Sequence, residues 1–187
     1  VRAQVESAAV EDLKAFSRFD APHTFVLNYS VEGPSWLGGW VLSGTTILRS
    51  GTPFTVQAGT DAPPFGNGDG EGRDRPSLLD ATLLGRSIDD PDTSESILRR
   101  DAFDAEAPSR EGRGNVARNA FRKDGTVNFN LALGRTFMIS SDRTRSLLVR
   151  AEMTNGFNHP QFSSPNTNLT TPAFGQITDT ENAGRIV

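Results

Sequence analysis

The 187-residue chain has no cysteine. Disulfides, thiolate zinc sites, iron–sulfur clusters and cysteine nucleophiles are thereby excluded. It has no run near the roughly 20 apolar residues that a membrane helix requires. That absence excludes only a helical span, because a membrane strand needs about 9–11 residues with alternate ones apolar. The negative mean hydropathy averages over such alternation and is compatible with it. No lysine–arginine cluster occurs, and the net charge is −4, which argues against nucleic acid as a partner, since its binding draws on several phosphate contacts.

Chemical constellations are also missing. No Gly-x-Ser-x-Gly elbow and no Gly-Lys-Ser/Thr phosphate loop occurs. Asn67-Gly68-Asp69-Gly70-Glu71-Gly72 suggests a calcium loop, but its twelfth position is Leu78 instead of the carboxylate an EF-hand needs. The two histidines, His23 and His159, lie far apart beside prolines and are read as loop-packing residues. The paired carboxylates Asp89-Asp90 lack hydrophobic surroundings to separate their titrations and are read as solvated. No enzymatic activity, cofactor or metal is expected.

What the chain does have is period-two alternation, the mark of strands with one apolar face. Over 24–32, Phe25, Leu27, Tyr29 and Val31 share one face, and Thr24, Asn28, Ser30 and Glu32 the other, with Val26 among them. A second strand is expected over 39–57, with Trp40, Leu42, Thr46 and Leu48 on one face, a gap at Gly44, and a bend at Pro53. The clearest alternation runs over 125–139, with Val127, Phe129, Leu131, Leu133, Phe137 and Ile139 opposite Asn128, Asn130, Ala132, Gly134, Thr136 and Met138. Strands over 146–158 and 184–187 complete the set. In the former, Leu147, Val149, Ala151, Met153 and Phe157 oppose Arg150, Glu152, Thr154 and Gly156. Residues 1–20 carry no strong pattern. The chain starts without Met and stops within a strand pattern, so it is expected to be an excerpt of a longer protein.

Connections alternate short and long. Residues 58–122 and 159–183 form two long segments rich in Gly, Pro and polar residues; 78–84 and 96–103 could hold short helices or strands. Short turns join antiparallel strands, so all short connections fall at one rim and all long ones at the other. Outer-membrane barrels sort their loops this way, with long extracellular loops. The expected fold class is therefore all-β, with antiparallel up-and-down strands forming an incomplete segment of a large transmembrane barrel. Trp36, Trp40 and Phe137 lie beside the short turns, where an interfacial aromatic girdle belongs. Arg135 falls on the apolar face by parity, close enough to the turn to snorkel.

Several motifs resemble Oar-like TonB-dependent receptors. Asp20-Ala21-Pro22-His23-Thr24-Phe25 is similar to the start of a late barrel strand. Gly39-Trp40-Val41-Leu42-Ser43-Gly44 with Ser50-Gly51-Thr52-Pro53-Phe54 is similar to the next. Asp74-Arg75-Pro76-Ser77-Leu78 and Asn119-Ala120-Phe121-Arg122-Lys123-Asp124-Gly125 resemble a loop and a strand entry of that group. The most specific likeness runs from Arg150 to Phe162, through Thr154-Asn155-Gly156-Phe157-Asn158-His159-Pro160, and on to Phe174-Gly175-Gln176-Ile177. The resemblance implies a barrel of about 22 strands around a plug, of which this chain supplies about five. It implies active solute uptake across the outer membrane. The implied partners are outer-membrane lipid, the barrel's own plug and remaining strands, a TonB-type energy-coupling protein and an unidentified solute. Lumen-facing candidates are Arg49, Asn128, Asn130, Arg150 and Glu152, and ligand contact is expected in 58–122 and 159–183. A soluble β-sandwich binding module, for carbohydrate for example, is the competing reading. It requires the apolar face to be covered by a second sheet.

Overall fold

The computed structural model describes residues 14–60, 74–104 and 114–187. The Asn67–Gly72 motif lies outside them. In chain order the elements are β1 (Thr24–Glu32), β2 (Trp40–Arg49), β3 (Pro53–Phe54), β4 (Ser77–Leu78), β5 (Ser87–Ile88), α1 (Pro91–Ile97), β6 (Phe103–Asp104), β7 (Phe121–Lys123), β8 (Thr126–Met138) and β9 (Ser146–Met153). The chain divides into two compact units.

The first unit comprises Pro22–Ser50, Gly125–Gln161 and Thr180–Val187. It is a four-stranded antiparallel sheet in the order β1-β2-β8-β9. The order follows the chain, so the sheet is an up-and-down meander. Its register keeps parity across all four strands. Phe25 pairs with Leu48, which pairs with Val127; Val31 pairs with Leu42, which pairs with Leu133 and on to Ala151. A slip of one residue anywhere would turn one strand's apolar set to the opposite side, and none occurs. The strand expected over 39–57 leaves the sheet after Arg49, and Pro53–Phe54 pairs with β7 elsewhere. The strand expected over 146–158 ends its ladder at Met153, and 184–187 contributes a single antiparallel bridge, Ile186 to Thr154.

Both short connections are closed locally. Between β1 and β2, a 3-10 turn spans Ser35–Leu37, and Gly38 follows at φ 69°. Between β8 and β9, Asp142 accepts from the Ser140 hydroxyl and, at 2.8 Å, from the Thr144 hydroxyl. These bonds, with the Thr144 amide, hold the Asp142 carboxyl below its ordinary range.

The second unit comprises Val1–Ala21, Gly51–Asp124 and Phe162–Asp179. The described parts of the two long segments are therefore not open loops. They fold against each other around a core of Val56, Leu83, Ile88, Ile97, Leu98, Phe103, Val116, Phe121, Leu169 and Phe174. Phe103 meets Phe174 edge-on at 5.6 Å and Phe121 at 5.9 Å. Backbone bonds from Gln57 to Thr167 (2.9 Å) and from Leu169 to Gln57 (3.0 Å) sew the later segment to the earlier. The regular pieces are short: β3, β5 and β7 form one small sheet, and β4 pairs with β6. The helix α1 starts where it does because Asp90 caps it, accepting from the Thr93 amide at 2.6 Å, with Pro91 in the first turn. Asp90 thus has a structural task rather than being a merely solvated carboxylate.

Candidate functional site: a two-faced sheet and its rims

Cross-strand pairing places all five lumen-facing candidates on one face. Arg49 pairs with Thr126, Asn128 with Ile47, Asn130 with Thr45, Arg150 with Gly134 and Glu152 with Ala132. Asn28, Ser30, Ser43 and Thr45 share that face, where the Thr45 hydroxyl donates to Asn28 Oδ1 at 2.7 Å. Arg150 Nε and Glu152 Oε1 form an ion pair at 2.6 Å with both side chains more than half exposed. Such a pair contributes little to stability. Arg49 closes β2 and lines an open cleft of about 560 Å3 whose walls include His23, Phe25, Ser50 and Thr126. Asn128 Oδ1 is buried and accepts no hydrogen bond from the described residues. Val26, Ile47 and Leu148 interrupt the polar face.

The opposite face is apolar and uncovered. Phe25 is 53% exposed, Leu133 43% and Leu147 51%, with Leu27, Val31, Leu42 and Val149 comparably open. A β-sandwich would bury these side chains beneath a second sheet. Among the described residues these side chains stay exposed, which counts against the soluble-module reading.

At the short-turn rim of this face, Arg135 stands opposite Trp40 and Val149. Its guanidinium lies 4.5 Å from the Phe137 ring centroid and 6.0 Å from that of Trp40. The two rings meet edge-on at 6.4 Å. Trp36, in the turn between β1 and β2, is 80% exposed.

At the other rim, the structure brings out residues that periodicity alone did not single out. Asn155 is 2% exposed at φ 50°. Its amide nitrogen donates to the carbonyls of His159 (3.2 Å) and Ala183 (3.4 Å), and its Oδ1 accepts from the His159 amide at 2.9 Å. The Asn155 backbone N–H donates to Asn130 Oδ1 at 3.1 Å, and Gly156 N–H to the Phe129 carbonyl at 2.7 Å. Phe157 packs edge-on against Phe129 at 4.9 Å. Asn182 joins in, donating to the His159 carbonyl at 3.0 Å and accepting from the Gln161 amide at 2.8 Å. The chain thereby turns sharply off β9 and returns to pair Ile186 with Thr154. The Asn-Gly dipeptide is the local signal for such a turn. His159 takes part through its backbone.

In the second unit, Arg122 forms an ion pair with Asp20. It also donates to the carbonyls of Asp20 and Gly51, both at 3.1 Å, and lies over the Phe16 ring at 5.0 Å. Asn119, at φ 54°, donates to the Thr55 hydroxyl from its backbone and to the Phe16 carbonyl from its side chain. Asp20 and Arg122, each from a motif noted in the sequence, are thus clasped to one another. Among the described residues, no group of three or more His, Asp or Glu side chains is placed to hold a metal ion.

No curated protein and no solved structure matches the chain. The family model of the outer membrane beta barrel domain matches residues 7–187. A meander of alternating strands, apolar and bare on one side and polar on the other, is the wall such a barrel needs. The chain belongs to the outer membrane beta barrel domain family, and its place is the outer membrane.

Proposed function

We propose that this chain is part of the wall of a TonB-dependent receptor that takes up a solute actively across the outer membrane. The apolar face of β1, β2, β8 and β9 meets hydrocarbon. The face with Arg49, Asn128, Asn130, Arg150 and Glu152 lines the lumen, against a plug supplied by the rest of the protein. The two long segments, 58–122 and 159–183, supply the contacts with the solute. The observation that carries the reading is the uncovered apolar face opposite an asparagine- and charge-bearing one. The resemblance of residues 150–162 and 119–125 to Oar-like receptors supports the finer assignment.

The test needs no knowledge of the solute. In a planar bilayer bathed in potassium chloride, the full-length protein should hold conductance near zero while its plug is in place. It should conduct once the plug is deleted. A full-length protein that conducts from the outset is an open pore, and the reading as an energy-coupled receptor would fall.

A further inference from the structure

We infer that Arg135 is a binding site for the phosphate of a phospholipid headgroup at the short-turn rim. Register fixes the direction of this residue. It shares the face of Leu133 and Phe137 and pairs with Trp40 and Val149, so it emerges on the side that meets lipid. An arginine within the hydrocarbon would be expensive, but near the end of a strand it can bend its head to the interface. The path of the side chain shows that bend. Its guanidinium nitrogens reach over the turn, so close to Gly38 that a Cβ there would lie 2.8 Å and 2.9 Å from them. Gly38, at φ 69°, leaves that space open.

Phe137 and Trp40 hold the planar group through their ring faces. Ring contacts leave the N–H edge free. A guanidinium presents five donors in a fork that matches phosphate oxygens bidentately. Among the described residues, neither a carboxylate nor a carbonyl accepts from them. Trp36 and Leu37, 80% and 43% exposed, belong to the turn that Gly38 closes. Aromatic side chains of this kind rest at headgroup level. A cation with an open donor edge at that depth faces the one anion the layer supplies in quantity, the lipid phosphate. The inference rests on the apolar face being the lipid face; it does not depend on energy coupling or on the solute.

The experiment uses the full-length barrel in two arms. In the first, bilayers containing lipid brominated near the headgroup report on the tryptophan emission that is lost on Trp36→Phe. That component should be quenched. In the second, the protein in mild detergent is titrated with phosphatidylglycerol or with an uncharged galactosyl diacylglycerol, and bound lipid is counted by native mass spectrometry. The wild type should prefer the phosphate-bearing lipid about tenfold, Arg135→Gln should abolish the preference, and Arg135→Lys should keep a smaller one. Quenching without any wild-type preference for phosphate would overturn the site while leaving the barrel wall intact, and the wild-type preference is measured without any variant. A preference that Arg135→Gln leaves unchanged would also overturn it. Absence of quenching would remove the lipid-facing assignment itself.

Discussion

Tyr29 and Gly44 illustrate how single residues complete this sheet. Gly44 leaves a gap in the apolar face of β2, and its neighbour across the ladder is Tyr29. The phenol ring lies in that gap: a Cβ at Gly44 would come within 2.6 Å of the Tyr29 hydroxyl oxygen and 2.5 Å of the Asn130 carbonyl. The carbonyl belongs to the ladder and cannot retreat. Gly44→Ala should therefore destabilise the full-length barrel by about 1–3 kcal/mol, read as a lower urea midpoint in lipid bilayers, whereas Tyr29→Phe, which keeps the ring, should stay near wild type. Asn155 is the second such position. It combines a left-handed backbone with three side-chain hydrogen bonds in a buried corner. Asn155→Ala would leave the His159 amide without its acceptor and strain the backbone, a loss of about 1–3 kcal/mol. Asn155→Gly should relieve the strain and still lose the hydrogen bonds, so a midpoint equal to wild type for Asn155→Gly would contradict this account.

The elements differ in what makes them. β1, β2, β8 and β9 follow from alternation and short turns, although β2 and β9 stop short of the expected ends at 57 and 158, at Arg49 and Met153. The short pieces of the second unit have no period to announce them. Its 3-10 turn at Ala81–Leu83 and its helix α1 are set by capping aspartates. Asp80 accepts from the Thr82 hydroxyl and amide, and Asp90 from the Thr93 amide. These bonds hold both carboxyls below their ordinary value of 3.8. Because the folded-state values are depressed, the stabilisation is complete above 3.8 and is lost as the pH falls below it, through the folded-state values. Hydrogen-exchange protection of the Thr82 and Thr93 amides should accordingly fade on acidification below 3.8. Asp90→Asn, a neutral cap, should make Thr93 protection insensitive to that change. Protection that fades equally in the Asp90→Asn protein would mean that something other than this carboxylate controls the helix start.

At the level of the whole molecule, the polarity of the wall decides where the protein can exist. The outward band from Phe25 to Leu147 is open, and the sheet has two edge strands, β1 and β9. An uncovered apolar face and unpaired strand edges both promote association in water. The 187-residue chain expressed alone without detergent should sediment as aggregate in analytical ultracentrifugation. A monodisperse, cooperatively folding monomer in water would contradict a lipid-facing wall.

Alternation in the sequence determined the four wall strands, their antiparallel order and the face that each of Arg49, Asn128, Asn130, Arg150 and Glu152 occupies, because side-chain direction in a strand depends only on parity. Loop lengths determined the sorting of the two rims. Other features were settled only by contacts between residues distant in the chain. These include the packing of Phe103, Phe121 and Phe174 in one core, the clasp of Arg122 on Asp20, the corner knotted by Asn155 and the filling of Gly44 by Tyr29. Non-periodic segments carry no local rule for their partners, so their structure depends on which apolar groups and orphaned backbone groups can satisfy one another in space.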